Sequence, residues 1–202
     1  MSAVVPKGKR APEALAIGLS DRAKTSFDHL VQAALGRNLA TEGQQAQVQV
    51  VSEFPRKPKD KKAVVLTIAS DQFRLMLALH VRLDAEGKAH FARLNRVDPA
   101  EWSEQAFHDA VAESGNICCG AMNRELGRYF SHVGMSTPNL LDRETLAYVE
   151  ALGKGHRRLF QVNGLGVEFY ATLFVAPFAP IDFMAELEAQ PDEVDAGELE
   201  MF

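Results

Sequence analysis

The sequence predicts an α+β domain in which helices pack on an antiparallel sheet. Two observations carry this expectation. Hydrophobic periodicity runs in the order helix, strands, helix, helix, strands along the 202 residues. The strand-like runs in the middle are joined by short polar connections, which suits antiparallel neighbours. A composition of 47% hydrophobic and 24% charged residues is that of a folded globular chain and excludes wholesale disorder.

Residues 1–19 are rich in Lys, Pro and Ala and read as a loose extension, with the domain proper expected over 20–183. Residues 21–36 place Ala23, Phe27, Leu30, Val31, Ala34 and Leu35 at helical spacing, with Ser20 or Asp21 as cap and Gly36 at the end. Period-two alternation then predicts a meander of four strands, 47–54, 62–70, 73–84 and 88–97, the last two joined by Ala85-Glu86-Gly87. The third run, with Leu75 to Leu79, also contains good helix formers. Strand is preferred there because its connections are short. Residues 99–128 form the longest helix candidate, opened by Asp98-Pro99. A loop over 130–141 leads to a third, shorter helix at 142–153, then to two strands around Asn163-Gly164 within 157–176. Pro177 and Pro180 end the sheet, and 181–189 reads as a last short helix.

Charge excludes some functions. Residues 184–202 hold seven acids and no Lys or Arg, so the remaining body carries 20 acids against 22 bases. That near-neutral body lacks the clustered cationic excess of a nucleic-acid-binding domain, so no nucleic-acid partner is expected. The one dense basic run, Arg56 to Lys62, reads as a solvated loop and the acidic end as a disordered tail. No apolar run approaches the ~20 residues of a membrane helix, so no membrane partner is expected. Two adjacent cysteines, Cys118 and Cys119, cannot form an ordinary disulfide with each other and point to a reducing, cytoplasmic setting.

The long helix carries the chemistry. Its buried stripe is expected at Phe107, Ala110, Val111, Ser114, Ile117, Cys118, Ala121 and Met122. With Asp109 at zero, Glu113 falls at about +40°, Asn116 at about −20° and Gly120 at about +20° on a helical wheel. Two acids and an amide therefore share the outer face beside a bare backbone. Asn116, Gly115 and Gly120 are poor helix-interior residues, and such local inconsistency concentrates at functional sites.

Asp109-x3-Glu113-x2-Asn116, the run Glu-Ser-Gly-Asn-Ile-Cys-Cys-Gly, and Pro138 in Ser136-Thr137-Pro138 resemble the signature of the CheC/CheX/FliY chemotaxis phosphatases, closest to the single-site CheX-like type. The resemblance implies a CheC-like/CheX-like layered fold and a phosphatase acting on the aspartyl phosphate of a CheY-type receiver domain. It implies Asn116 as the residue that aims a water, Glu113 as a catalytic partner bridging the receiver's lysine, and Asp109 as a docking residue. Gly120 and Pro138 would be structural near the site. It implies no metal or cofactor of the chain's own, Mg2+ being supplied in the phosphorylated receiver, and a homodimer formed through sheets. The helix at 21–36 offers Asp28 and Gln32 but no Glu-x-x-Asn, so one site is expected. A non-catalytic adaptor of the same fold is the alternative.

Other motifs carry less. The six histidines lack metal-ligand spacing. Cys118 points into the buried stripe and reads as a small hydrophobe. His132 and Ser136 lack a nucleophile elbow, and the Gly153–Arg158 run lacks the phosphate-loop pattern.

Overall fold

The computed structural model describes residues 16–40, 45–54, 62–80, 82–151, 155–164 and 167–186. Residues 56–61 of the expected Arg56–Lys62 loop, residues 153–154 of the expected Gly153–Arg158 turn and the acidic end beyond Glu186 lie outside these residues.

The chain enters the fold slightly before residue 20. Strand β1 (Gly18–Leu19) pairs in parallel with β9 (Pro180–Ile181), so the two ends of the domain are stitched together. Helix α1 (Asp21–Asn38) is capped as expected by Ser20, whose hydroxyl accepts from the Ala23 N–H at 3.0 Å, and it runs two residues past Gly36. Strands β2 (Gln47–Val51), β3 (Lys62–Ala69) and β4 (Phe73–His80) follow, so the third run is a strand.

The four-strand meander is not formed. Residues 85–94 are helix α2 (Ala85–Leu94) rather than the start of a fourth strand. Asp84 caps it by accepting from the Gly87 N–H at 3.1 Å, and His90 and Phe91 are buried on its inner side. Gly87 suggested a hairpin for another reason. A Cβ there would lie 1.9 Å from the Arg82 carbonyl oxygen, so the helix needs glycine to turn against the strand end.

Helix α3 (Glu104–Leu126) begins five residues later than Pro99. Asp98 closes a turn, accepting from the Ala100 N–H at 2.8 Å, and Ser103 is the true cap, accepting from the Ala106 N–H at 3.1 Å. The predicted loop contains β5 (Gly134–Met135) and β6 (Asn139–Asp142). The helix expected at 142–153 is reduced to a 3-10 turn (Arg143–Thr145) and a short α4 (Leu146–Ala151). Strands β7 (His156–Gly164) and β8 (Val167–Pro177) pair up to Gly164 and Val167, so Asn163 and Gly164 belong to the strand and their connection falls at 165–166. Residues 182–186 form no regular element, so the described part of the last segment is not helical.

The large sheet has the order β2-β7-β8-β4-β3-β5, with β6 also pairing along β3, and every pair is antiparallel. This is an α+β domain, as the sequence predicts. One face packs against the three long helices, joining Leu66, Leu75, Leu77 and Leu173 to Phe27, Phe91 and Phe107. Phe27, Phe73, Phe130 and Phe183 form an aromatic knot that ties the C-terminal segment to α1. Truncating fully buried Phe27 to alanine would cost about 3–5 kcal/mol. On the opposite face, Leu146 of α4 covers Ala63, Val65 and Ala78. Phe54 covers His80 and Tyr170 there, while the His80 Nε2 and the Thr172 hydroxyl share a hydrogen bond of 2.8 Å.

Candidate functional site

Helix α3 lies on β3 and against α1, and Gly115 sets how closely it sits. A Cβ at Gly115 would be 3.0 Å from Leu66, 3.2 Å from Leu79 and 3.3 Å from Val64. The glycine therefore has a packing reason: it lets the helix press onto the sheet. Gly120 has none, because nothing lies within 4 Å of a Cβ built there. A mid-helix glycine with open space beside it leaves a bare strip of backbone facing outward.

The outer face is arranged as the helical wheel anticipates. Asp109 and Glu113 are exposed, and Asn116 and Gly120 are half-buried. Gln105 donates from its Nε2 to Asp109 at 2.8 Å, and Asn116 donates from its Nδ2 to Glu113 at 3.4 Å. The second contact joins the acid and the amide loosely, leaving the Asn116 carbonyl oxygen able to accept from a bound water.

Beside them lies an open groove of about 410 Å3, lined by Asn116, Ile117, Gly120, Ala121, Arg124 and Met135. Its far wall is β5, held by Ser136: the Ser136 N–H donates to the Thr67 carbonyl at 2.9 Å, and its hydroxyl accepts from the Thr67 N–H at 3.0 Å. Ser136 is thus engaged in backbone pairing rather than nucleophilic chemistry. His132, at φ 56°, adopts the left-handed conformation in the segment that brings the chain from α3 to β5. Pro138 follows between β5 and β6, half-buried, and is not among the groove's lining residues.

The expected stripe needs one correction. Ile117 is 48% exposed, whereas Gly115 and Cys119 are buried. The buried arc centres on Val111, Cys118 and Met122, and Ile117 falls about 120° from that centre, toward the groove. Arg124 and Met135 were missed by sequence reading. Arg124 lies four residues past Gly120, a spacing that puts both on one side of the helix, but Met135 reaches the site only through tertiary pairing of β5 with β3.

Neighbouring candidates have structural roles. Burial pushes both the Cys118 and Cys119 thiols up to about 12, which leaves them unreactive. Asp28 on α1 is buried, 2.6 Å from the His156 Nε2, and it accepts from the Arg158 Nε at 2.8 Å. It ties α1 to β7, while Gln32 donates to the Val48 carbonyl at 3.4 Å. No group of three or more metal-ligating side chains occurs among the described residues, and no described helix is long and apolar enough to cross a membrane.

No protein-family model matches the sequence, and no curated protein matches it. Solved structures do match the fold. The chemotaxis protein CheX from Vibrio vulnificus is 14% identical with a TM-score of 0.55, covering 74% of this chain and 98% of that one. A putative chemotaxis protein from Desulfovibrio vulgaris Hildenborough is 16% identical with a TM-score of 0.51, covering 73% and 95%. A CheC-like superfamily protein from Shewanella sp. PV-4 is 12% identical with a TM-score of 0.50, covering 75% and 95%. The chain has the CheX/CheC-like fold.

Proposed function

We propose that this protein is a CheX-like phosphatase that hydrolyses the aspartyl phosphate of a CheY-type receiver domain, in the cytoplasm, within chemotaxis or related two-component signalling. The observation that carries this reading is the outer face of α3. There Glu113 and Asn116 stand beside a glycine that has open space around it, on a fold shared with CheX and CheC-like chemotaxis proteins. A bare helix face suits close approach by another protein's surface, and the side chains presented on that face are an amide and acids.

Phosphoryl transfer needs positioning more than covalent chemistry, and an amide can orient an attacking water as a glutamine does in GTPases. Asn116 would accept a hydrogen bond from the water through its carbonyl oxygen, in line with the phosphorus–carboxylate bond. The water oxygen bonds to phosphorus, the bond to the aspartyl oxygen breaks, and the carboxylate and inorganic phosphate are released. Glu113 would leave Asn116 to pair with the receiver's lysine, and Asp109 would support docking. The receiver would bring its own phosphoaspartate and Mg2+, so this chain supplies no metal ligand.

The test is loss of aspartyl phosphate from beryllofluoride-competent CheY-type receivers, followed with and without the protein. Asn116→Ala should slow catalysed dephosphorylation at least tenfold, about 1.4 kcal/mol of barrier, with docking retained. Glu113→Ala should weaken the complex as well. Full activity in Asn116→Ala overturns the mechanism, and binding without turnover by the wild type leaves an adaptor.

A further inference from the structure

We propose that Arg124 and Ile117 form a second contact zone for the receiver, in which Arg124 meets a carboxylate on the partner's surface about 12 Å along the helix axis from the Asn116 position. This deepens the reading above and rests on it.

Helix α3 is electrically polarised along its outer face. Its N-terminal half presents Glu104, Asp109 and Glu113, and the groove beyond Asn116 ends in Arg124. Glu113 and Asp109 hold partners on their own helix, whereas Arg124 is exposed and has no hydrogen-bond or ion-pair partner among the described residues. Its guanidinium therefore offers its five donors to an incoming surface. Between Arg124 and Asn116 the floor is Gly120 and Ala121, and Ile117 and Met135 supply an apolar margin. Ile117, at 48% exposed on the outer side of a helix otherwise well packed, is the one large apolar side chain of α3 left open.

The occupant that matches this surface is the receiver itself. A receiver's phosphorylation pocket is a concentration of carboxylates around a metal, flanked by a lysine. With the lysine at the acidic half of α3, the rest of the docking face runs toward Arg124. Opposite charges at the two ends of one helix admit a single orientation of the partner and penalise the reverse one by like-charge contact. Arg124 is thus a specificity residue remote from the reacting atoms, favouring receivers that carry an acid at the matching place.

The experiment measures steady-state dephosphorylation and, separately, binding of beryllofluoride-loaded receivers to the full chain. Arg124→Glu should raise KM and Kd at least tenfold with kcat kept, Arg124→Lys should retain most binding, and Ile117→Asp should weaken docking similarly. Asn116→Ala should do the opposite, lowering kcat with Kd kept. Replacing the matching receiver acid by lysine should rescue Arg124→Glu. Circular dichroism checks that each variant folds, which is expected for exposed positions. Arg124→Glu and Ile117→Asp with KM and Kd within twofold of wild type, alongside an inactive Asn116→Ala, overturn this inference and leave the phosphatase reading intact. If the wild type binds receivers without turnover, the proposed function fails, and a Kd weakened by Arg124→Glu still supports the contact zone. No binding to any receiver overturns both.

Discussion

Alanine substituted at the two α3 glycines should move stability in opposite directions, although both lie mid-helix. At Gly120 nothing stands within 4 Å of a new Cβ, and the backbone is not in the left-handed region. The methyl then acts only on helix propensity, a gain of about 1 kcal/mol. At Gly115 the same gain is opposed by contacts of 3.0, 3.2 and 3.3 Å with Leu66, Leu79 and Val64. All three are in the core, so the methyl overpacks it, at a cost of about 1–3 kcal/mol. The two variants should differ by about 1–3 kcal/mol. For a domain of this size each kcal/mol moves Tm by about 2–4 °C. Thermal unfolding followed by circular dichroism should therefore place Gly120→Ala above wild type and Gly115→Ala below it. Receiver dephosphorylation read on the same samples should fall in Gly120→Ala and more in Gly120→Leu, because both fill the strip where a partner would approach. Equal or greater stability of Gly115→Ala would refute the packing argument. Undiminished activity in Gly120→Leu would refute the docking one.

Acid should destabilise the protein through His80. Burial brings its ring down to about 4 from an ordinary 6.5, so the folded state favours the neutral form. The associated stability is whole above pH ~6.5 and is lost as pH falls toward ~4, about 3 kcal/mol in all and about 2 kcal/mol by pH ~5. His90, also lowered by burial, adds in the same direction. Urea midpoints at pH ~7.5 and ~5 should show the drop and His80→Gln should flatten it; a midpoint independent of pH contradicts the assignment. Deleting residues 189–202 should speed receiver association at low salt, by removing acids that repel an acidic pocket, and have little effect at high salt. Stopped-flow rates unchanged at every salt concentration reduce that segment to a solubilising end. Among the described residues β2 closes one end of the sheet with an unpaired edge, so self-association is expected. Light scattering should give twice the 22.2 kDa chain mass, and 22.2 kDa at micromolar concentration would exclude it.

What the sequence made legible follows the range of the interactions involved. The outer face of α3 could be read in advance because helical geometry alone puts Asp109, Glu113, Asn116 and Gly120 together. Capping by Ser20 was equally local. Helix α2 was misread because a glycine and an aromatic residue among alternating polar positions mimic a hairpin. What decides it is local: the Asp84 cap on the Gly87 N–H and the close approach of Gly87 to the Arg82 carbonyl, signals that the alternation masks. The place of β2 was not legible either. Its partner is β7, with Gln49 opposite Gln161, and nothing near residue 49 specifies a neighbour so distant in sequence. The groove wall at Met135 depends in the same way on Ser136 reaching Thr67.

If Asn116 aims a water as proposed, the two glycines would make its helix both rigid and accessible. A side chain that aims a water must be held to within a fraction of an ångström, which requires a backbone that does not shift on docking. Gly115 provides the rigid half, by letting the turn before Asn116 seat against Val64, Leu66 and Leu79 without an intervening side chain. Gly120, one turn beyond Asn116, leaves the outward side of the same segment bare. The two positions lie about 140° apart around the helix. One thins the contact with the sheet and the other thins the surface offered to a partner, so half-buried Asn116 sits on a firmly backed helix with bare backbone one turn beyond it. Replacing either glycine would damage a different half of the arrangement, which is why their substitutions separate stability from docking.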